Sequence, residues 1–297
     1  MPPDWIGCRR RPAPTVGGMT VGFLGLGVMG GPMAANLAEA GTDLIVWSRT
    51  PSRETPPGAV RAATPAEVFE RAQIVIMMLS GAEAIDSVLD PALLDGHLIV
   101  HMGTTAPEYS AGLRDRVEKA GARYVEAPVS GSRGPAEAGT LVAMLAGQAE
   151  ELDVVRPLIA PMCGDTFDCG PVPGALLMKL AVNTYLISMV TGLAEAFHFA
   201  EGHGLDPVTL RRVLDAGPMA SPVSRVKAAK LVDGDFTVQA SIRDVLMNNE
   251  LIVGAARTAM PLLTRCRALY TEARDQGYGD ADMAAVVHAI ATRTRAA

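Results

Sequence analysis

The chain has 297 residues, 49% of them apolar, 4% aromatic and 20% charged, with a formal net charge of -6. This composition is too apolar for a disordered chain and leaves room for roughly two domains with cores of Ala, Val, Leu and Met. Its acidic balance offers neither a basic footprint for nucleic acid nor a polybasic patch for a membrane, so neither partner is expected.

Residues 1–18, MPPDWIGCRRRPAPTVGG, have no periodicity and no apolar core of signal length, and are expected to be a disordered tail or the product of a mis-assigned start. Residues 20–24 read as a short strand, Gly25-Leu26-Gly27-Val28-Met29-Gly30 follows at once, and a helical pattern over 32–40 ends at Gly41. A second strand follows at 42–47. Strand, G-x-G-x-x-G, helix and strand within about thirty residues is the setting in which this glycine pattern binds a dinucleotide. Gly25 permits the tight turn, Gly27 lets the backbone approach a pyrophosphate, and Gly30 allows close helix packing. The helix N-terminus then faces the phosphate charge.

The second strand ends in Trp47-Ser48-Arg49-Thr50, with Arg53 close behind. A carboxylate there would hold the ribose hydroxyl of NAD and repel a 2′-phosphate. Arg49 can instead pair with that phosphate while Ser48 and Thr50 donate hydrogen bonds, so NADP(H) is expected over NAD(H). The alternative is an exposed loop arginine with no partner.

Further strands are predicted at 73–79, 98–102, 124–127 and 140–145, the alternation of a doubly wound sheet. Gly103-Thr104-Thr105 falls at a strand's carboxyl end, where such sheets bind ligands. Pro128-Val-Ser130-Gly131-Ser132-Arg133-Gly134 reads either as a backbone nest for a carboxylate or as a surface β-turn.

After Gly174 the pattern is helical, with segments at 175–201, 207–216, 223–232, 241–258, 261–276 and 282–292. The expected domains are 19–175 and 176–297, with the first long helix as the bridge. No run of 18 uninterrupted apolar residues occurs, since Lys179, Asn183, Glu195 and His198 break the longest, so no transmembrane helix is expected. Lys179 is the only charge between Gly174 and Ala194, and Asn183 follows one turn later. Burying an unpaired ammonium costs several kcal/mol unless its pKa falls, so Lys179 is either a snorkelling lysine or a reactive amine. The run Ser241-Ile-Arg243-Asp244 reads by itself as an ordinary solvated helix start. Cys8, Cys163, Cys169 and Cys266 lack zinc-like spacing and no histidine cluster accompanies them. No metal is expected, and a reduced, cytoplasmic setting is the simplest expectation.

Four stretches in this order resemble the β-hydroxyacid dehydrogenase family, which includes 3-hydroxyisobutyrate dehydrogenases and tartronate semialdehyde reductases. They are Gly22-Phe-Leu-Gly25-Leu-Gly27-Val-Met-Gly30, then Glu126-Ala-Pro-Val-Ser130-Gly131-Ser132 with Gly139-Thr-Leu, then Gly174 with Lys179 and Asn183, and Ile242-Arg243-Asp244-Val245. The resemblance implies an α/β Rossmann dinucleotide-binding domain followed by an all-α domain that commonly builds homodimers or homotetramers. It implies Lys179 as general acid and base, Asn183 orienting it or the substrate, and Ser130, Gly131 and Ser132 holding the carboxylate of a small hydroxy acid or semialdehyde. Leu79 and Thr104 would lie along the nicotinamide side of the cofactor, and Arg243 would stand in place of a lysine near the nicotinamide. His101, where relatives often have Asp, and Ser132, where they have Gly, are further departures. Imine reductases, which share the design but generally carry another residue at the lysine position, are the nearest alternative. A non-catalytic cofactor-binding interaction module is the alternative of another class, and the retained Lys179 speaks against both.

Overall fold

Short strands buried on both faces build the first half of the molecule. The computed structural model describes residues 18–293, so the expectation for the N-terminal stretch lies outside the described residues but for Gly18. Val21–Leu24 (β1) leads into Gly30–Glu39 (α1), followed by Leu44–Trp47 (β2), Val60–Arg61 (β3), Pro65–Arg71 (α2), Ile74–Met77 (β4), Ala82–Asp86 (α3), Leu98–His101 (β5), Pro107–Lys119 (α4) and Arg123–Glu126 (β6). The strands form one six-stranded sheet in the order β3-β2-β1-β4-β5-β6, with parallel pairing throughout. Val21, Phe23, Val46, Ile76 and Val100 pack on one face against Met33, Ala34 and Leu37 of α1. Leu24, Ile45, Val75, Met77 and Ile99 fill the opposite face. Both faces are covered, so the strands read as nearly continuous apolar runs.

Residues 140–145 do not extend that sheet, contrary to the doubly wound expectation. Val129–Ser130 (β7), Leu141–Leu145 (β8) and Cys163–Asp168 (β9) form a separate three-stranded sheet, β7 antiparallel and β9 parallel to β8, with Arg133–Glu137 (α5) and Ala149–Ile159 (α6) between. Pro128 lacks an amide hydrogen and cannot continue a ladder at the end of β6. Glu126 and Ala146 exchange both backbone hydrogen bonds at 2.9 Å, joining the two sheets by an antiparallel bridge.

From Leu176 the chain forms a second compact unit, with which Ala106–Glu108 also group. It contains Gly174–Gly202 (α7) from Leu176 onward, Pro207–Ala216 (α8), Pro222–Asp233 (α9), Ile242–Ala255 (α10), Pro261–Ala273 (α11) and Val287–Arg293 (α12). Local chemistry sets the helix starts. Asp206 accepts from the Val208 and Thr209 amides ahead of Pro207, and Ser221 with Ser224 forms a reciprocal capping box. Ser241 and Asp244 cap each other in the same way, so this run is a built helix start and not merely a solvated one. By length and hydropathy α7 could cross a membrane. Its Leu180, Ile187, Val190 and Ala194 instead pack in the core of this unit with Ile242, Val245, Leu263 and Tyr270.

The same unit buries an ion pair, Lys227 Nζ to both Asp282 oxygens at 2.8 Å. Asp282 also accepts from the Gln239, Ala240 and Ala284 amides. Burial holds the Lys227 pKa below its ordinary value, while the carboxylate opposes the shift. Asp282→Ala would leave that ammonium buried without a counter-charge, with only the Gln239 side-chain oxygen at 3.5 Å, and is expected to cost about 3–5 kcal/mol in urea unfolding. A loss below about 1 kcal/mol would show the pair to be dispensable to the unit.

Candidate active site

The glycine turn shows its purpose in what a side chain would meet there. Gly25 has φ +104°, and an added Cβ would lie 2.3 Å from the Met78 carbonyl oxygen. At Gly30 an added Cβ would lie 1.9 Å from the Gly25 carbonyl oxygen, so α1 can start here only with glycine. Gly27 has nothing within 4 Å, leaving its backbone open to a ligand. Leu26 is buried, Val28 is exposed and Met29 is partly buried against the core. A turn left open at Gly27, at the N-terminus of a ten-residue helix, fits a dinucleotide pyrophosphate.

At the end of β2, Ser48 is half-buried and Arg49 and Thr50 are exposed. Among the described residues no hydrogen bond or ion pair engages the Arg49 guanidinium. The turn that follows is held by a residue the sequence reading passed over. Arg61, on β3, donates from Nη1 to the Arg53 carbonyl (2.7 Å) and Thr55 Oγ1 (3.4 Å), and from Nη2 to the Thr50 carbonyl (3.3 Å). A two-residue strand has no periodicity by which to announce itself.

Leu79 and Gly103 meet at the carboxyl edge of the sheet. A Cβ at Gly103 would lie 2.7 Å from the Leu79 carbonyl oxygen, and Leu79 Cδ2 is 3.0 Å from the corresponding point at Gly25. Thr104 is half-exposed beside them. This edge therefore brings together the glycine turn, Leu79 and the Thr104 segment. Below it His101 is fully buried, with Nδ1 2.8 Å from the Tyr124 hydroxyl. That hydroxyl is 2.7 Å from Ser110 Oγ, which donates to Glu126. With the Ser110 proton spent on Glu126, Tyr124 donates to Ser110 and His101 donates through Nδ1. Burial pushes the His101 pKa down to about 4 and raises that of Tyr124, keeping both groups neutral.

The segment 128–134 is not a surface β-turn but a short strand, a glycine and the start of a helix. Ser130 pairs with Val142 in the small sheet, Gly131 turns the chain at φ +132°, and Ser132 precedes α5. A Cβ at Gly131 would lie 2.7 Å from Leu141 Cδ2, so glycine is needed for the turn to close on β8. Ser130 and Ser132 remain partly exposed. Asn36 of α1 donates to the Ala136 carbonyl at 2.7 Å, tying the helix of the glycine turn to this loop.

In the helical unit Lys179 is 9% exposed, which makes it a buried lysine and not a snorkelling one. Burial lowers its pKa from 10.5 to about 8. Asn183 is buried on the next turn and donates to Asn248 Oδ1 at 2.7 Å. Arg243 pairs with Asp280, Nε to Oδ1 at 2.8 Å, on the exposed side of α10.

Residues 20–170 match the model for the NAD-binding domain of 6-phosphogluconate dehydrogenase, and 175–290 match that for the NAD-binding region of NADP-dependent 3-hydroxyisobutyrate dehydrogenase. The chain is 31% identical to chloroplastic glyoxylate/succinic semialdehyde reductase 2 of Arabidopsis thaliana, covering 93% of this chain and 80% of that protein. The chain belongs to the β-hydroxyacid dehydrogenase family. Mitochondrial 3-hydroxyisobutyrate dehydrogenase of Mus musculus is 30% identical over 95% of this chain and 92% of its own. A crystal structure of 3-hydroxyisobutyrate dehydrogenase from Salmonella typhimurium shares the fold, with TM-score 0.82 at 21% identity over 91% of this chain and 99% of that one. This β-hydroxyacid dehydrogenase is thus an oxidoreductase with a Rossmann-like domain for a nicotinamide dinucleotide, followed by a helical region.

Proposed function

We propose that the enzyme interconverts a small β-hydroxy acid, or a related hydroxycarboxylate, and its semialdehyde, using NADP(H), with Lys179 as general acid and base. The observation that carries this reading is a nine-tenths buried lysine in an apolar helix, one turn before a buried amide. NADP(H) supplies or takes the hydride when bound. In reduction, negative charge develops on the carbonyl oxygen, and the Lys179 ammonium stabilises it and donates the proton. In oxidation the neutral amine takes the hydroxyl proton. Ser130, Gly131 and Ser132 hold the substrate carboxylate, while Asn183 orients Lys179 or the substrate. Leu79 and Thr104 line the nicotinamide side of the cofactor, and Arg243 contributes positive charge nearby.

Steady-state kinetics on a panel of semialdehydes, hydroxy acids and cyclic imines, with NADPH and NADH in parallel, tests the reading. Turnover confined to imines would replace it with the imine reductase alternative. Tight cofactor binding without turnover on any member would leave an interaction module. The NADPH preference rests on Arg49, exposed and unpaired among the described residues, on the turn that Arg61 holds. Arg49→Ala is expected to raise the KM for NADPH about tenfold and leave that for NADH unchanged, the loss of a charge-assisted phosphate contact. Equal effects on both cofactors would remove Arg49 from 2′-phosphate recognition.

A homodimer or homotetramer belongs to the same reading. Met178, Val182, Tyr185 and Phe199 form an exposed apolar stripe along α7, with Tyr185 72% and Phe199 64% exposed. The free thiols Cys163, Cys169 and Cys266 are in keeping with a reducing cytoplasm.

A further inference from the structure

Two amides in series lie behind Lys179. Asn183 Nδ2 donates to Asn248 Oδ1 at 2.7 Å, and Asn248 Nδ2 donates to the Asp244 carbonyl at 2.7 Å. A backbone carbonyl can only accept, so it dictates which end of the Asn248 amide faces it. The oxygen end is thereby turned toward Asn183, and that oxygen too can only accept. Asn183 must therefore present its NH2 to Asn248, and its own oxygen is left as the acceptor for other partners. Lys179 stands one turn back on the same helix face.

From this geometry we propose that Asn248 is a positioning residue for the Lys179 proton transfer, acting through Asn183. It prevents the Asn183 amide from turning over and so keeps an acceptor, not a second donor, available to the ammonium or the substrate hydroxyl. The capping pair Ser241–Asp244 fixes the first turn of α10, whose Asp244 carbonyl anchors the series. The proposal rests on the assignment of Lys179 as general acid and base.

The test is a double-mutant cycle on the full chain, with NADPH and succinic semialdehyde as the probe. Asn248 is only partly buried, so Asn248→Leu is expected to fold, and thermal unfolding confirms this; Asn248→Ala carries the same test if it does not. Asn248→Leu is expected to lower kcat about tenfold, a cost typical of a misplaced catalytic group, with the KM for NADPH unchanged. The fall of kcat at alkaline pH should also begin at lower pH, because an ammonium without an oriented acceptor gives up its proton more readily. In an Asn183→Ala background the same substitution should change kcat less than about twofold, since the two residues act as one unit. Equal losses in both backgrounds, or no loss in the first, would overturn the proposal. Full activity of Lys179→Ala would instead overturn the assignment on which it rests.

Discussion

Lys179→Met is expected to lower kcat for carbonyl reduction by about 10²–10⁴-fold, the usual contribution of a positioned general acid, and to leave the affinity for NADPH unchanged. Methionine keeps the length and apolar packing of the side chain, so the loss reports the missing proton and not a cavity. In the parent enzyme the two directions should show opposite pH profiles around the Lys179 value of about 8. Reduction needs the ammonium, so kcat is flat below that pH and falls above it. Oxidation needs the free amine, so kcat rises toward that pH and then levels.

Stability should rise with pH, opposite to the reduction profile. Below about pH 8 the native state carries a charge in an apolar helix. Between about pH 8 and the ordinary lysine value of 10.5 the unfolded chain binds more protons than the native one, so stability rises with pH across that window. Lys179→Met removes the burden and is expected to raise stability at neutral pH by roughly 1–3 kcal/mol in urea unfolding. A variant that loses neither activity nor this pH dependence of stability would show Lys179 to be an ordinary solvated side chain.

The glycine turn gives the second large effect, and it separates folding from binding. Gly30→Ala places a methyl group 1.9 Å from a backbone oxygen that no rotamer change can move away. It is expected to destabilise the first unit by about 1–3 kcal/mol and to weaken NADPH binding by about 100-fold, because α1 must shift from its place behind the turn. Gly27→Ala meets nothing within 4 Å and should leave thermal unfolding unchanged. It should nonetheless weaken NADPH binding about tenfold or more, since its methyl group occupies the space a pyrophosphate needs. Fluorescence titration with NADPH reads both. Normal binding by Gly27→Ala would mean that the pyrophosphate is held elsewhere.

Most of the fold was legible because its signals are local. The β1, β4 and β5 runs are apolar on both faces, and the glycine pattern lies between a strand and a helix. Pro207 and Pro261 begin helices at their first positions. β9 was missed because five of its six residues are at least partly solvent-exposed, which leaves no apolar period. The separate small sheet was missed because residues 140–145 look like any buried strand, and only the partners of β8 reveal where it pairs.

The sequence by itself determined the order of an α/β half and a helical half, the dinucleotide turn, and which residue types could carry proton transfer. Those depend on periodicity and on the backbone freedom of glycine, which short windows of sequence contain. The tertiary structure decided that Lys179 is buried and that Arg61 holds the turn beside Arg49. It likewise decided that His101 is a neutral member of a buried chain ending at Glu126, and that Asn248 sets the polarity of Asn183. Burial and hydrogen-bond direction belong to partners far apart along the chain, 65 residues in the case of Asn183 and Asn248. No local window holds both members of such a pair.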